Sequence, residues 1–131
     1  MGRGEGSVVF VGSIVGAAEG SARSPAYASA KAGLEGLARS LALIGADERI
    51  RVNVVAPGAI DTPFDTALFP ADSRPDVPLG RMGTADEVAA VIAMLLAPEA
   101  TYVTGAVWSV DGGRTALSPA TAASRAARRR S

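Results

Sequence analysis

Residues 25–58 read PAYASAKAGLEGLARSLALIGADERIRVNVVAPG, and this stretch decides the architecture. Pro25 suits the first turn of a helix. Ala30, Leu34, Leu37, Leu41 and Ile44 then recur at spacings of three and four. The reading is a helix from Pro25 to about Gly45. Ala30, Leu34, Leu37 and Leu41 are expected to face a sheet, and Ala28, Ala32, Gly36 and Ser40 to form a face of small residues. Residues 50–56 (IRVNVVA) are a strand, which Pro57-Gly58 stops. Upstream, residues 7–12 (SVVFVG) form a β-branched run bounded by glycines, a buried strand. Downstream, Thr84-Ala85-Asp86-Glu87 is a capping box. The helix behind it buries Val88, Val91, Ile92, Leu95 and Leu96 and ends at Pro98. Residues 105–110 (GAVWSV) are a third strand, closed by Asp111-Gly112-Gly113. Residues 59–83 carry Pro63, Pro70, Pro75 and Pro78 and little pattern, as in lids or disordered segments. Residues 117–131 hold Ala, Ser, Thr and Arg without period and read as a disordered tail.

Strand, helix, strand, helix, strand implies an α/β fold: a parallel sheet of three strands alternating with helices, joined by right-handed crossovers. In such sheets ligands bind beyond the carboxyl ends of the strands. Ser13 leaves the first strand there, and Gly58 to Thr62 leave the second. The helix from Pro25 runs back antiparallel to the strands, so Tyr27 and Lys31 in its first turns lie toward the same edge.

Composition narrows the chemistry. The chain has 131 residues, the size of one domain, and is 48% hydrophobic and 20% charged, which marks it as globular. Thirteen basic residues balance thirteen acidic ones, so net charge points to neither nucleic acid nor a membrane surface. Cysteine and histidine are both absent, which removes disulfides, zinc–thiolate sites and the serine–histidine–acid triad. The longest apolar run, residues 88–97, is too short for a bilayer, which needs about 20 residues. No basic start precedes an apolar stretch with a cleavage site, so the expectation is a soluble, cytoplasmic protein.

Without histidine, proton transfer near neutral pH needs another perturbed group. Tyr27 and Lys31, four apart, share one helical face. An ammonium beside a phenol favours the phenolate, so such a pair can act as general acid or base. Taken alone, Y-x-x-x-K is equally a half-buried tyrosine with a solvated lysine. Ser13 at a strand end can donate to a substrate oxygen, or can be ordinary turn chemistry. Pro57-Gly58-Ala59-Ile60-Asp61-Thr62 offers backbone amides and a hydroxyl to an amide-bearing ring, or simply ends a strand. The arginines at 125 and 128–130, with no aromatic interleaved, read as a solvated end and not as a nucleic-acid patch.

Together these segments resemble the short-chain dehydrogenase/reductase family. G-S-I-V-G (12–16), Y-A-S-A-K (27–31), N-V-V-A-P-G-A-I-D-T-P (53–63), P-L-G-R-M-G-T-A-D-E-V (78–88) and Y-V-T-G-A-V-W-S-V-D-G-G (102–113) match its motifs in order. The resemblance covers about residues 6–114. It implies a partial Rossmann-like, doubly wound sheet and hydride transfer between NAD or NADP and a carbonyl or secondary alcohol. By the same resemblance, Tyr27 exchanges the proton, and Lys31 supports it and binds the nicotinamide ribose. Ser13 polarises the substrate oxygen. Pro57, Gly58, Ile60 and Thr62 hold the nicotinamide. The resemblance also implies a homo-oligomer in which the Pro25 helix meets its counterpart; the face of small residues can equally pack against another element of the same chain.

Residues 1–116 resemble only the carboxyl-terminal half of such a domain. The family's opening strand, glycine-rich turn and helix, which bind the pyrophosphate, have no counterpart. Gly2-Arg3-Gly4-Glu5-Gly6 precedes a strand, whereas a dinucleotide fingerprint follows one. Half a sheet also leaves the first strand with an open edge that invites association. A second reading therefore stands beside the enzyme: a truncated, non-catalytic remnant that keeps the fold and an oligomer surface.

Overall fold

A computed structural model describes residues 5–64 and 76–128. Strands β1 (Gly6–Val11), β2 (Ile50–Pro57) and β3 (Val107–Val110) form one parallel sheet in the order β1-β2-β3. Gly6 faces Ile50 and Val11 faces Val55, while Val54 faces Val107 and Pro57 faces Val110. The helices are a kinked single turn α1 (Ile14–Ala17), then α2 (Pro25–Gly45), α3 (Ala85–Leu96) and α4 (Pro119–Arg128). The open three-stranded α/β sheet is the one the sequence leads to. No helix among the described residues is long and apolar enough to cross a membrane.

Alternation along β2 assigns the two faces. Val52 and Val54, with Phe10 and Val107, pack on Ala38, Leu41 and Ala42 of α2. Val55, with Val9 and Val110, packs on Val88, Val91, Ile92 and Leu95 of α3. The helices thus cover opposite faces, which is why β2 is buried from Val52 to Ala56. Both crossovers advance the same way across the sheet, from β1 to β2 to β3. Advancing one way with helices on opposite faces gives the two crossovers opposite hands. The expectation of right-handed crossovers throughout is therefore corrected for one of them. The preference for right-handed units reflects a strand feeding directly into its helix. Residues 58–84 separate β2 from α3, enough chain to round the sheet edge.

The phase of α2 is corrected in part: Leu41 packs on the sheet as expected, but Ala30, Leu37 and Ile44 do not. Its buried residues are Ala38, Ala42 and Gly45. Ala30 is exposed, Leu37 is 46% exposed and Ile44 73%. The helix lies so close to the sheet that only small residues fit between: a Cβ on Gly45 would sit 3.0 Å from the Ile50 Cβ and carbonyl oxygen. Apolar spacing tracked the bulky residues flanking that contact, not the contact itself.

The caps are as the sequence indicates. Ser24 Oγ accepts from the Tyr27 amide at the start of α2, with Pro25 in the first turn. Thr84 and Glu87 form the reciprocal capping box of α3. The Arg81 guanidinium hydrogen-bonded to Glu87, aided by the Thr84 amide, holds that carboxyl down at about 2. The expected tail is different. Residues Pro119–Arg128 form α4, which Ser118 caps by accepting from the Thr121 amide. Alanine propensity and a good cap make a helix whose apolar side is alanine, with no bulky residue to mark it in the sequence. Arg125 Nη2 docks it by donating to the Pro78 carbonyl at 2.7 Å. The central part of the proline-rich connection, residues 65–75, and residues 129–131 lie outside the described residues.

Asn53, in the middle of β2, is fully buried. Its Nδ2 donates to the Val103 carbonyl (2.9 Å) and its Oδ1 accepts from the Ala106 amide (3.1 Å). One side chain thus satisfies two backbone groups of the segment entering β3. Asn53→Leu leaves the buried Ala106 amide without its partner and the Val103 carbonyl with Arg51 Nη1 alone, so urea denaturation should show a loss of about 1–3 kcal/mol. An unchanged urea midpoint would contradict this role.

Candidate functional site

The strand ladder continues past the carboxyl ends of the strands. The Gly12 amide donates to the Val55 carbonyl (2.7 Å) and the Gly58 amide to the Val110 carbonyl (3.0 Å). The chain turns away after each contact, and the gap is a cavity of about 850 Å³. Ser13, Tyr27, Lys31, Pro57, Gly58, Ile60 and Thr62, all the site residues expected from sequence, line it.

Each is positioned by local chemistry. Ser13 has extended backbone and caps α1, its Oγ accepting from the Val15 amide at 3.1 Å. That acceptor role leaves the hydroxyl proton for donation. Gly16 has φ 122°, and a Cβ there would lie 2.6 Å from the Ala28 carbonyl oxygen and 2.8 Å from the Ala32 amide nitrogen. Bare backbone at Gly16 thus lets α1 rest on the turn of α2 that carries Tyr27 and Lys31. Lys31 Nζ donates to the Val11 carbonyl at 2.9 Å and lies 5.6 Å from the centroid of the Tyr27 ring. On the other wall, Gly58 abuts Asp111, where a Cβ would come within 2.7 Å of the Asp111 Cβ. The Ala59–Ile60–Asp61 backbone is tied to Gly83 by two hydrogen bonds, Asp61 amide to Gly83 carbonyl (2.8 Å) and Gly83 amide to Ala59 carbonyl (3.0 Å).

Asp111 anchors the turn after β3. Burial pushes its carboxyl up, but bonds from the Thr115 hydroxyl and amide and from the Gly113 amide outweigh that and hold it below its usual range. The sequence marked it only as a closing turn. Glu19 and Arg114 also line the cavity, joined at 2.6 Å between Arg114 Nε and Glu19 Oε1. Sequence reading missed both. No local pattern links residues so far apart, and only the strand order brings them together.

The family profile described as enoyl-(acyl carrier protein) reductase matches residues 1–115. The chain belongs to the short-chain dehydrogenase/reductase family. It is therefore a member of a family of oxidoreductases that use nicotinamide cofactors. It is 48% identical over 118 residues to a cis-4-hydroxycyclohexanecarboxylate dehydrogenase from Sinomonas cyclohexanicum, covering 87% of this chain and 47% of that one. It is 46% identical to a 3-oxoacyl-(acyl-carrier-protein) reductase from Pseudomonas aeruginosa, covering 82% and 44%. A protein from Agrobacterium tumefaciens, assigned as a 2-deoxy-d-gluconate 3-dehydrogenase and crystallised with bound NADP, superposes with a TM-score of 0.80. Its identity is 36%, with 88% of this chain and 48% of that one covered. This short-chain dehydrogenase/reductase chain thus spans a little under half the length of these relatives. Its family match stops at residue 115, just before α4.

Gly16→Ala forces an L side chain into a backbone region suited to glycine and against the α2 backbone. Chemical denaturation should register a loss of about 1–3 kcal/mol, and retention of full stability would show that α1 does not rest on α2 as described.

Proposed function

We propose that the cavity holds the nicotinamide end of NAD or NADP and a small carbonyl or secondary alcohol, and that residues 1–116 are the carboxyl-terminal half of a short-chain dehydrogenase/reductase domain. The observation that carries this reading is the convergence of Ser13, Tyr27 and Lys31 on one cavity otherwise lined largely by apolar groups such as Ile14, Ala59, Ile60 and Val88. A mostly apolar cavity with a few convergent polar groups suits a flat amide-bearing ring and a small substrate. Pro57, Gly58, Ile60 and Thr62 would hold the ring.

When bound, the nicotinamide supplies hydride exchange with the substrate carbon. The chain's own groups handle the oxygen. The Tyr27 phenol delivers a proton to the carbonyl oxygen in reduction and removes it from the alcohol in oxidation. The Ser13 hydroxyl donates to the same oxygen, where negative charge develops. The Lys31 ammonium, fixed by the Val11 carbonyl, stands one helical turn from the phenol and has further N–H groups for the ribose hydroxyls.

The remnant reading is favoured by one observation: among the described residues the glycine-rich link from a strand into a helix, residues 12–24 between β1 and α2, carries Ser13 and leads to Tyr27, and no second such link is there for the pyrophosphate. Titration of the full chain with NADH and NADPH, followed by nicotinamide fluorescence, separates the two. Binding, with turnover that Tyr27→Phe abolishes while cofactor affinity is kept, supports the oxidoreductase. A folded chain that binds neither cofactor at millimolar concentration is the remnant.

We also read the chain as a homo-oligomer. The outer side of α2 exposes Leu37, Leu43 and Ile44, and β1 is an edge strand with Val8 and Val11 at 40% and 49% exposure. Size-exclusion chromatography with light scattering should give more than one chain per particle, and a stable monomer would refute it.

A further inference from the structure

The ion pair between Glu19 and Arg114 is not used by the proton-transfer chemistry, yet it lies in the same cavity wall. Both side chains keep 28% of their surface exposed, so the pair is neither sealed in the core nor free in solvent. Its two halves are held by backbone. The Glu19 amide donates to the Ile14 carbonyl (2.9 Å), and the Gly16 amide donates to the Glu19 carbonyl (2.7 Å). On the other side, Asp111 clamps the turn that carries Arg114. Its carboxylate accepts from the Gly113 and Thr115 amides, and its carbonyl accepts from the Arg114 amide.

The geometry of the contact decides what Arg114 can still do. A guanidinium has five N–H donors in a planar fork. The side-chain hydrogen bond of Arg114 among the described residues runs through Nε to Glu19. The two terminal nitrogens keep four donors, in the arrangement that grips a carboxylate through two parallel bonds. Among the described residues the cavity wall carries Arg23, Lys31 and Arg114 besides Glu19.

We infer that the substrate of this site is a small anion, an alicyclic or aliphatic hydroxy or oxo acid, whose carboxylate is bound by the terminal nitrogens of Arg114. Glu19 is the positioning residue: it fixes the guanidinium plane and moderates its charge. The apolar lining of the cavity, Ile14, Ala59, Ile60 and Val88 among it, takes the hydrocarbon body. This assignment deepens the oxidoreductase reading by naming its substrate class.

The test is calorimetric titration of the full chain with cyclohexanecarboxylate and with its neutral isostere cyclohexanecarboxamide, each with and without NADPH. The carboxylate should bind roughly tenfold or more tightly than the carboxamide. Arg114→Met should remove that preference and leave carboxamide affinity unchanged. Glu19→Gln keeps a hydrogen-bonding partner but removes the competing charge, so it should tighten carboxylate binding. A merely structural ion pair predicts the opposite sign for Glu19→Gln, and this arm decides the matter if Arg114→Met fails to fold. Equal binding of acid and amide, no binding of either, or weaker carboxylate binding in Glu19→Gln overturns the assignment. Carboxylate preference without any NADPH binding sinks the redox reading alone. NADPH binding without carboxylate preference sinks only the substrate class.

Discussion

The bond from Lys31 Nζ to the Val11 carbonyl holds the working end of the molecule together. Val11 is the last residue of β1, where the chain is about to leave the sheet. Its carbonyl is met by the only lysine of the chain, one helical turn beyond Tyr27. A charged donor on a neutral carbonyl is stronger than an ordinary neutral pair. It ties the start of α2, which carries Tyr27, to the end of β1, which leads into Ser13. Gly16 serves the same contact from the other side, because only bare backbone lets α1 approach that turn.

Burial and chemistry are divided between the two ends of β2. Toward its start, Asn53 and Arg51 bind carbonyls of the segment leading into β3, which stitches α3 and β3 to the sheet. Toward its end, Pro57 and Gly58 release the chain into the cavity wall, and the turn after β3 braces them through Asp111. A site assembled from the ends of β1, β2 and β3 is rigid because each contributing segment is held by backbone bonds to its neighbour.

Much of this was legible in the sequence because the signals were local. β-branched runs ended by glycine or by proline and glycine located all three strands, and the Thr84–Glu87 spacing placed a helix start to the residue. The convergence of Ser13, Tyr27, Lys31 and Thr62 followed from strand order alone. What escaped was set by distance or by fit. Leucine spacing placed Leu41 on the sheet but misplaced Leu37 and Ile44, because the tight contact is made by Ala38, Ala42 and Gly45, whose regular spacing is one of small residues and not of bulky ones. The hand of a crossover depends on how a long connection travels, not on residue types. α4 rests on alanine propensity and a serine cap, and its apolar side is alanine, with no bulky residue for periodicity to detect. Glu19 and Arg114 meet only after the whole sheet has formed.

Consecutive strands pair, but none through a tight hairpin. Gly6 meets Ile50 and Val54 meets Val107, each across an intervening helix. Every rung must therefore meet its loop-closure entropy before it gains anything, which makes parallel sheets slow to assemble. On a ribosome, the central strand would emerge with its first partner already synthesised and its second still to come. During that interval one flank of a β-branched segment stays unsatisfied, so the order of synthesis is itself a hazard for this chain.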